Sequence, residues 1–285
     1  MKKKFPTLLL SCLPFAIGMA LQVAAMTLLM VVAEIFMFFI GPIFFNTNFD
    51  PINDLNTLLL DTNFNALIMI AFSVSCTVTF GIWYYKSCGG NFRFSFKRQL
   101  HPLQPVGLLF LTPGTQFAAS LVISFVAVIF PQWMENYMNM MEEAGMNEMT
   151  VLLFIYSVIL APISEELIFR GVTMRIARKA FPFWAANLIQ AVLFGVFHMN
   201  IIQGIYAGLL GLVLGFICEK GGSIYFAIFF HFLFNLWGTT AADWLVIENE
   251  TLGGLIVILG TALGLVFGLL FFKKGTNKVA QKSQA

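Results

Sequence analysis

Residues 151–170 read VLLFIYSVILAPISEELIFR. The stretch is apolar enough to lie in a bilayer, yet it ends in Ser164, Glu165 and Glu166, with Arg170 four residues beyond the second glutamate. Each charge costs roughly 2.5–3.5 kcal/mol at a bilayer centre on insertion scales, so a partner is required. Residues four apart share a helix face, which lays Glu166 over Arg170 as an ion pair. Glu165 is turned about 100° away and has no partner in its own helix. A lone carboxylate facing a protein interior is a candidate general base. The competing reading of this stretch has both glutamates at the membrane interface, snorkelling to water.

The rest of the chain has the same character. Of 285 residues, 59% are hydrophobic and only 11% charged, against about 25% charged in a soluble domain. The mean hydropathy is +0.85. These values exclude a soluble globular core and indicate an all-α, polytopic membrane helix bundle. Cys12, Cys76, Cys88 and Cys218 have no CxxC or zinc-ribbon spacing and read as packing residues. The basic residues are scattered among short loops, which argues against a nucleic-acid partner.

Working outward, eight apolar spans are expected, at about 15–41, 65–85, 104–130, 151–171, 183–200, 202–218, 223–241 and 252–272. The N-terminal lysines and the following leucines resemble a signal peptide, but the apolar run continues to about Phe45 without a cleavage site and reads as a retained anchor. Pro14 is the expected break, with an interfacial piece before it. Glu34 reads as a satisfied buried or interfacial acid. His101, beside Pro102, reads as a solvated loop residue. Residues 86–101 combine Arg93, Lys97 and Arg98 with Phe92, Phe94 and Phe96, as an interfacial segment would. Met134, Met138 and Met141 give the spacing of a surface helix. Gly204, Gly208, Gly211 and Gly215 permit close helix approach. Three regions follow: helices 1–3 in residues 1–149, a four-helix catalytic core in 150–241, and the last span with a basic tail in 242–285.

Two further polar clusters lie in apolar spans: Phe194 with His198, and His231 with Asn235 four residues on, sharing a helix face. With Glu165 and Glu166, they can converge on one polar cavity among spans four to seven. Together, Glu165-Glu166-x-x-x-Arg170, Phe194-x-x-x-His198 and His231-x-x-x-Asn235 resemble the three motifs of the CAAX-protease and bacteriocin-processing (CPBP, or Abi) intramembrane proteases. Their order and spacing agree with that family over about residues 150–240. The resemblance implies hydrolysis of a peptide bond within the membrane. Glu165 would activate a water that His198 helps to hold, and His231 and Asn235 would stabilise the oxyanion. Glu166, Arg170 and Phe194 would support the site.

A metal-free site is the preferred expectation. Zinc is the alternative, with Glu165, His198 and His231 as ligands; asparagine is a poor zinc ligand and suits an oxyanion role better. Expected partners are the lipid bilayer and a membrane-embedded or lipid-modified peptide or protein substrate, in a bacterial plasma membrane. Two other functions use the same residues: a transporter or proton relay, and a non-catalytic bacteriocin-immunity protein on the same scaffold. A transporter is expected to show repeated halves and broken spans, and the sequence has no such repeat.

All 16 Lys and Arg residues fall on one side of an eight-span arrangement, counting Arg170 at its boundary. The acidic loops around Asp50, Asp54, Asp61, Glu135, Glu142, Glu143, Glu148, Asp243, Glu248 and Glu250 fall on the other. The positive-inside rule then puts both termini in the cytoplasm. A tag at either terminus is expected to be reachable only from the cytoplasm, and one inserted near Asn139 only from outside. Labelling of the 86–101 loop from outside would contradict this orientation.

Overall fold

The computed structural model describes residues 4–44, 49–88, 100–143, 149–241 and 249–284. Among these residues ten helices form and there is no strand. They are α1 (Lys4–Phe44), α2 (Pro51–Leu60), α3 (Thr62–Ser87), α4 (Leu103–Ile129), α5 (Pro131–Glu143), α6 (Val151–Ala177), α7 (Phe183–Phe197), α8 (Ile201–Gly221), α9 (Ile224–Thr240) and α10 (Glu250–Gln284). The all-α bundle expected from the sequence is present. Six helices (α1, α3, α4, α6, α8 and α10) are long and apolar enough to cross a membrane. The apolar helices α7 and α9 have only 15 and 17 residues, short of the ~20 that span a hydrocarbon core unaided. Large apolar side chains line the outside of the bundle, among them Val128, Phe125, Leu28 and Leu259, as lipid contact requires.

Two expected boundaries are corrected. Pro14 does not break the first helix, which runs continuously through it. The ring removes one backbone donor, but Pro14 is buried against the bundle, where membrane helices tolerate such a loss. The fourth span does not end near Gly171 but continues to Ala177, because Val172, Thr173, Met174, Ile176 and Ala177 are all buried. Glu34 is exposed on α1, not buried. It lies 30 residues from Lys4, about 45 Å along a helix, beyond a hydrocarbon core of about 30 Å. The Met134/Met138/Met141 spacing does form a helix, α5. His101 is half-buried rather than fully solvated, and its Nδ1 accepts the Leu103 N–H at 3.2 Å, at the start of α4. The basic aromatic stretch with Phe92, Arg93, Phe94, Phe96, Lys97 and Arg98 lies outside the described residues, as do Glu148, Asp243 and Glu248.

α6 is the most enclosed of the long helices. It is packed by α1, α3, α7 and α9. Its start is capped by Thr150, whose Oγ1 accepts the Leu153 N–H at 3.3 Å. Two stretches of α6, Ile155–Leu160 and Leu167–Thr173, are π-helical; they flank the turn that carries Glu165 and Glu166. Such insertions occur often at functional sites. A three-residue corner joins α7 to α8. Met199 there adopts a left-handed φ of 55°, and the Asn200 Oδ1 accepts the N–H groups of Ile202 and Gln203 at 2.9 and 3.2 Å.

α4 and α10 touch backbone to backbone. A Cβ on Gly264 would lie 2.6 Å from Gly114 Cα and 2.9 Å from the Phe110 carbonyl oxygen. Neither neighbour is a flexible side chain, so Gly264→Leu must push the helices apart. The expected loss is about 1–3 kcal/mol or more, the usual range for overpacking. Thermal unfolding in detergent measures it, and an unchanged midpoint would contradict the close approach.

Candidate active site

Glu165, Glu166 and Arg170 come from α6, Phe194 from α7 and His231 from α9. Among side chains buried in the bundle, Glu166 is 0%, Arg170 1%, His231 2% and Glu165 8% exposed. Snorkelling of the two glutamates to water is therefore excluded. Arg170 Nη1 donates to Glu166 Oε1 at 2.8 Å, the i, i+4 pair that helix geometry predicts. Its Nη2 donates to the Gly211 carbonyl of α8 at 3.1 Å, and its guanidinium lies 4.6 Å from the Phe194 ring centroid. The pair is thus held by a second helix and an aromatic face.

Glu166 Oε1 also meets His231 Nδ1 at 2.9 Å. An ionised carboxylate only accepts, so Nδ1 carries the proton of that bond. This fixes the ring and turns Nε2 toward Glu165, whose Oε2 is 3.7 Å away. That distance is too long for a direct hydrogen bond.

His198 ends α7 as its C-cap residue. Its Nδ1 lies 3.0 Å from the Phe194 carbonyl oxygen, which accepts, so Nε2 is the ring nitrogen left outside this bond. Phe194 is the common wall: its ring centroid is 5.0 Å from that of His198 and 5.9 Å from that of His231, both edge-on. The extension of α6 to Ala177 brings the motifs to similar depth. Glu165 lies about 18 Å from that helix end and His198 about 22 Å from the start of α7, at 1.5 Å per residue.

Asn235 donates through Nδ2 to the Ser157 carbonyl at 2.7 Å. The reason is local. Ala161 N–H reaches back to the Tyr156 carbonyl in the π register, and the next residue, Pro162, has no N–H to give. The Ser157 carbonyl is left open to Asn235. One N–H of the amide remains outside this bond.

Several supporting residues were not singled out from the sequence. Gln190 Nε2 donates to the Gly211 carbonyl at 2.8 Å and to Asn187 Oδ1 at 2.7 Å, while Asn187 Nδ2 donates to the Leu212 carbonyl at 3.0 Å. An Asn and a Gln three apart in an apolar helix were the available signal. Ser73 of α3 donates to Ser164 Oγ at 2.8 Å, tying α3 to α6 beside Glu165. No spacing rule would pair residues on distant helices. Gly211 and Gly215 sit against Ala191 and Asn187, which accounts for two of the five glycines in α8.

Among the described residues no three His, Cys, Asp or Glu side chains are grouped as a metal ion would need. An apolar groove of about 700 Å³ opens between α7 and α8, lined by Ala191, Gly195, Gly204 and Gly208, but it includes none of Glu165, Glu166, His198, His231 and Asn235.

Residues 147–237 match the family described as Rce1-like, type II CAAX prenyl endopeptidase Rce1-like. Over those residues the chain is similar to the CAAX protease family. The match covers α6, α7, α8 and most of α9, the helices that carry the polar cluster. No curated protein and no solved structure matches the chain. That similarity, with the apolar helices, supports a membrane-embedded protease as the general class.

The Glu166–Arg170 pair is expected to be structural. Arg170→Ala leaves Glu166 buried without its cation, a loss of about 3–5 kcal/mol for a broken buried pair. Yield and thermal midpoint in detergent should both fall. A variant as stable as the wild type would show that the pair does not hold the bundle.

Proposed function

We propose that the chain is an intramembrane endopeptidase in which Glu165 activates the attacking water. The observation that carries this reading is the placement of Glu165 Oε2 opposite His231 Nε2, 3.7 Å away, in a cluster whose other charges are already paired. A water between them could give its proton to Glu165 as it attacks the scissile carbonyl. His198 holds this water through Nε2, because its Nδ1 is engaged by the Phe194 carbonyl. The carbonyl oxygen becomes negative as the tetrahedral intermediate forms. Protonated His231 donates to it through Nε2, and Asn235 through the N–H not bound to Ser157. Fixed donors in a site without bulk water stabilise such an oxyanion strongly. Glu165 then passes its proton to the leaving amine, and the peptide bond breaks.

Glu166 and Arg170 act on His231 rather than on substrate. The Glu166 carboxylate sets the tautomer and aim of the ring, and Arg170 keeps that carboxylate charged and still. The mechanism proposed needs no metal, because Glu165 supplies the base and the N–H donors of His231 and Asn235 meet the oxyanion. The substrate proposed is a membrane-associated or lipid-modified peptide, in keeping with the prenyl endopeptidase description of the matched family.

Proteoliposomes carrying a set of lipid-modified fluorogenic peptides test the reading. Glu165→Gln should abolish cleavage while the protein stays folded in the membrane; full activity in that variant would remove Glu165 as the base. Asn235→Ala should lower kcat about 100- to 1,000-fold, the usual loss of one oxyanion donor, with little change in KM. Prolonged chelator treatment should leave the wild-type rate unchanged. Activity lost to the chelator and restored by zinc would replace the glutamate mechanism with a metal one.

A further inference from the structure

A second polar cavity, of about 200 Å³, lies where α6, α8 and α9 meet at the basic end of the bundle. Arg170 and Arg175 of α6, Tyr84 of α3, Glu219 of α8 and the Ser223–Ile224 start of α9 line it. We propose that this cavity binds a phosphate-bearing anion, either the headgroup of an acidic phospholipid or free phosphate.

Four observations lead there. First, Arg170 is 1% exposed, yet its Nε has no hydrogen-bond partner among the described residues. A buried guanidinium donor without an acceptor carries a desolvation cost that an anion would relieve. Second, Arg175 is exposed and pairs with no carboxylate among the described residues. Its Nη1 donates to Cys88 Sγ at 2.9 Å, and its guanidinium lies 5.3 Å from the Tyr84 ring centroid. A thiol is a weak acceptor, so this contact leaves the positive charge unneutralised. Third, Glu219 is the acidic lining residue, and Arg178 holds its Oε1 at 3.1 Å. Its charge is answered from outside the cavity. Fourth, the 17-residue helix α9 begins at the cavity. Gly222 turns the chain there with a left-handed φ of 67°. Ser223 Oγ accepts the Tyr225 N–H at 3.3 Å, and the other N–H groups of the first turn carry the positive end of the helix dipole.

An apolar or cationic ligand would leave Arg170 Nε unmatched and face Arg175. Phosphate suits the set because a guanidinium donates to two of its oxygens while backbone N–H groups take a third. Arg175 also lies near the end of the long span α6, where headgroups are within reach.

The test compares lipid retention and phosphate binding. Full-length protein in neutral detergent is incubated with vesicles of phosphatidylcholine alone or with phosphatidylglycerol, re-extracted, and examined by native mass spectrometry. Wild type should retain one phosphatidylglycerol. Arg175→Gln should lower that retention about tenfold or more, as loss of a charged hydrogen bond does. Arg175→Lys should keep part of it, and Lys179→Gln, which removes a neighbouring charge outside the cavity, should keep all of it. Calorimetry with inorganic phosphate separates the sources. Phosphate binding that depends on Arg175 assigns the site to the free anion; retention of lipid that phosphate does not displace assigns it to the headgroup. Equal retention in wild type and Arg175→Gln, with no phosphate binding, would overturn the proposal.

Discussion

The charge on Arg170 has to be answered inside an apolar bundle, and much of the core is arranged to do so. Glu166 supplies the counter-charge from the preceding turn, Gly211 a carbonyl from α8, and Phe194 an aromatic face from α7. Each requirement fixes a neighbouring helix. α8 must come close enough to present a main-chain oxygen, which small residues at its contact face allow. Phe194 must stay packed, and its ring then walls off both histidines. The pair that makes α6 tolerable in lipid is therefore also what orders the residues around Glu165.

The two glutamates are adjacent in sequence but meet different surroundings, because a helix separates neighbours by about 100°. Glu166 is surrounded by donors: Arg170 on its own helix and His231 on α9. Glu165 faces the other nitrogen of the same imidazole without touching it. One histidine thus lies between a carboxylate bonded to its Nδ1 and a second carboxylate 3.7 Å from its Nε2. The contact with Glu166 is the more buried of the two, so the ring is held from the more enclosed side.

The irregular backbone of α6 belongs to the same logic. Pro162 cannot donate to Ser157, and the π register directs the Ala161 N–H to Tyr156. An open carbonyl inside a membrane bundle is costly, and Asn235 meets it from α9. The defect in one helix becomes the tie to another, one turn away from His231. Ser73 performs a comparable service from α3, through Ser164.

The membrane class, the apolar helices, the Glu166–Arg170 pair and the three polar motifs were all legible in the sequence. They rest on local rules: apolar run length, the cost of a charge in lipid, and the shared face of residues four apart. The continuous passage of α1 through Pro14, the extension of α6 to Ala177 and the shortness of α7 and α9 as helices were not. Burial by neighbouring helices decided the first two, and burial depends on contacts far apart in the chain. The same holds for Gln190, Asn187, Ser73 and the Ser157–Asn235 bond. Each is a polar group whose partner is a carbonyl or side chain on the same or another helix, chosen by how the helices pack. Sequence by itself determined which residues could not be left in lipid unaccompanied; only the tertiary structure decided what accompanies them, because hydrogen bonds between helices depend on depth and rotation that no spacing along one helix encodes.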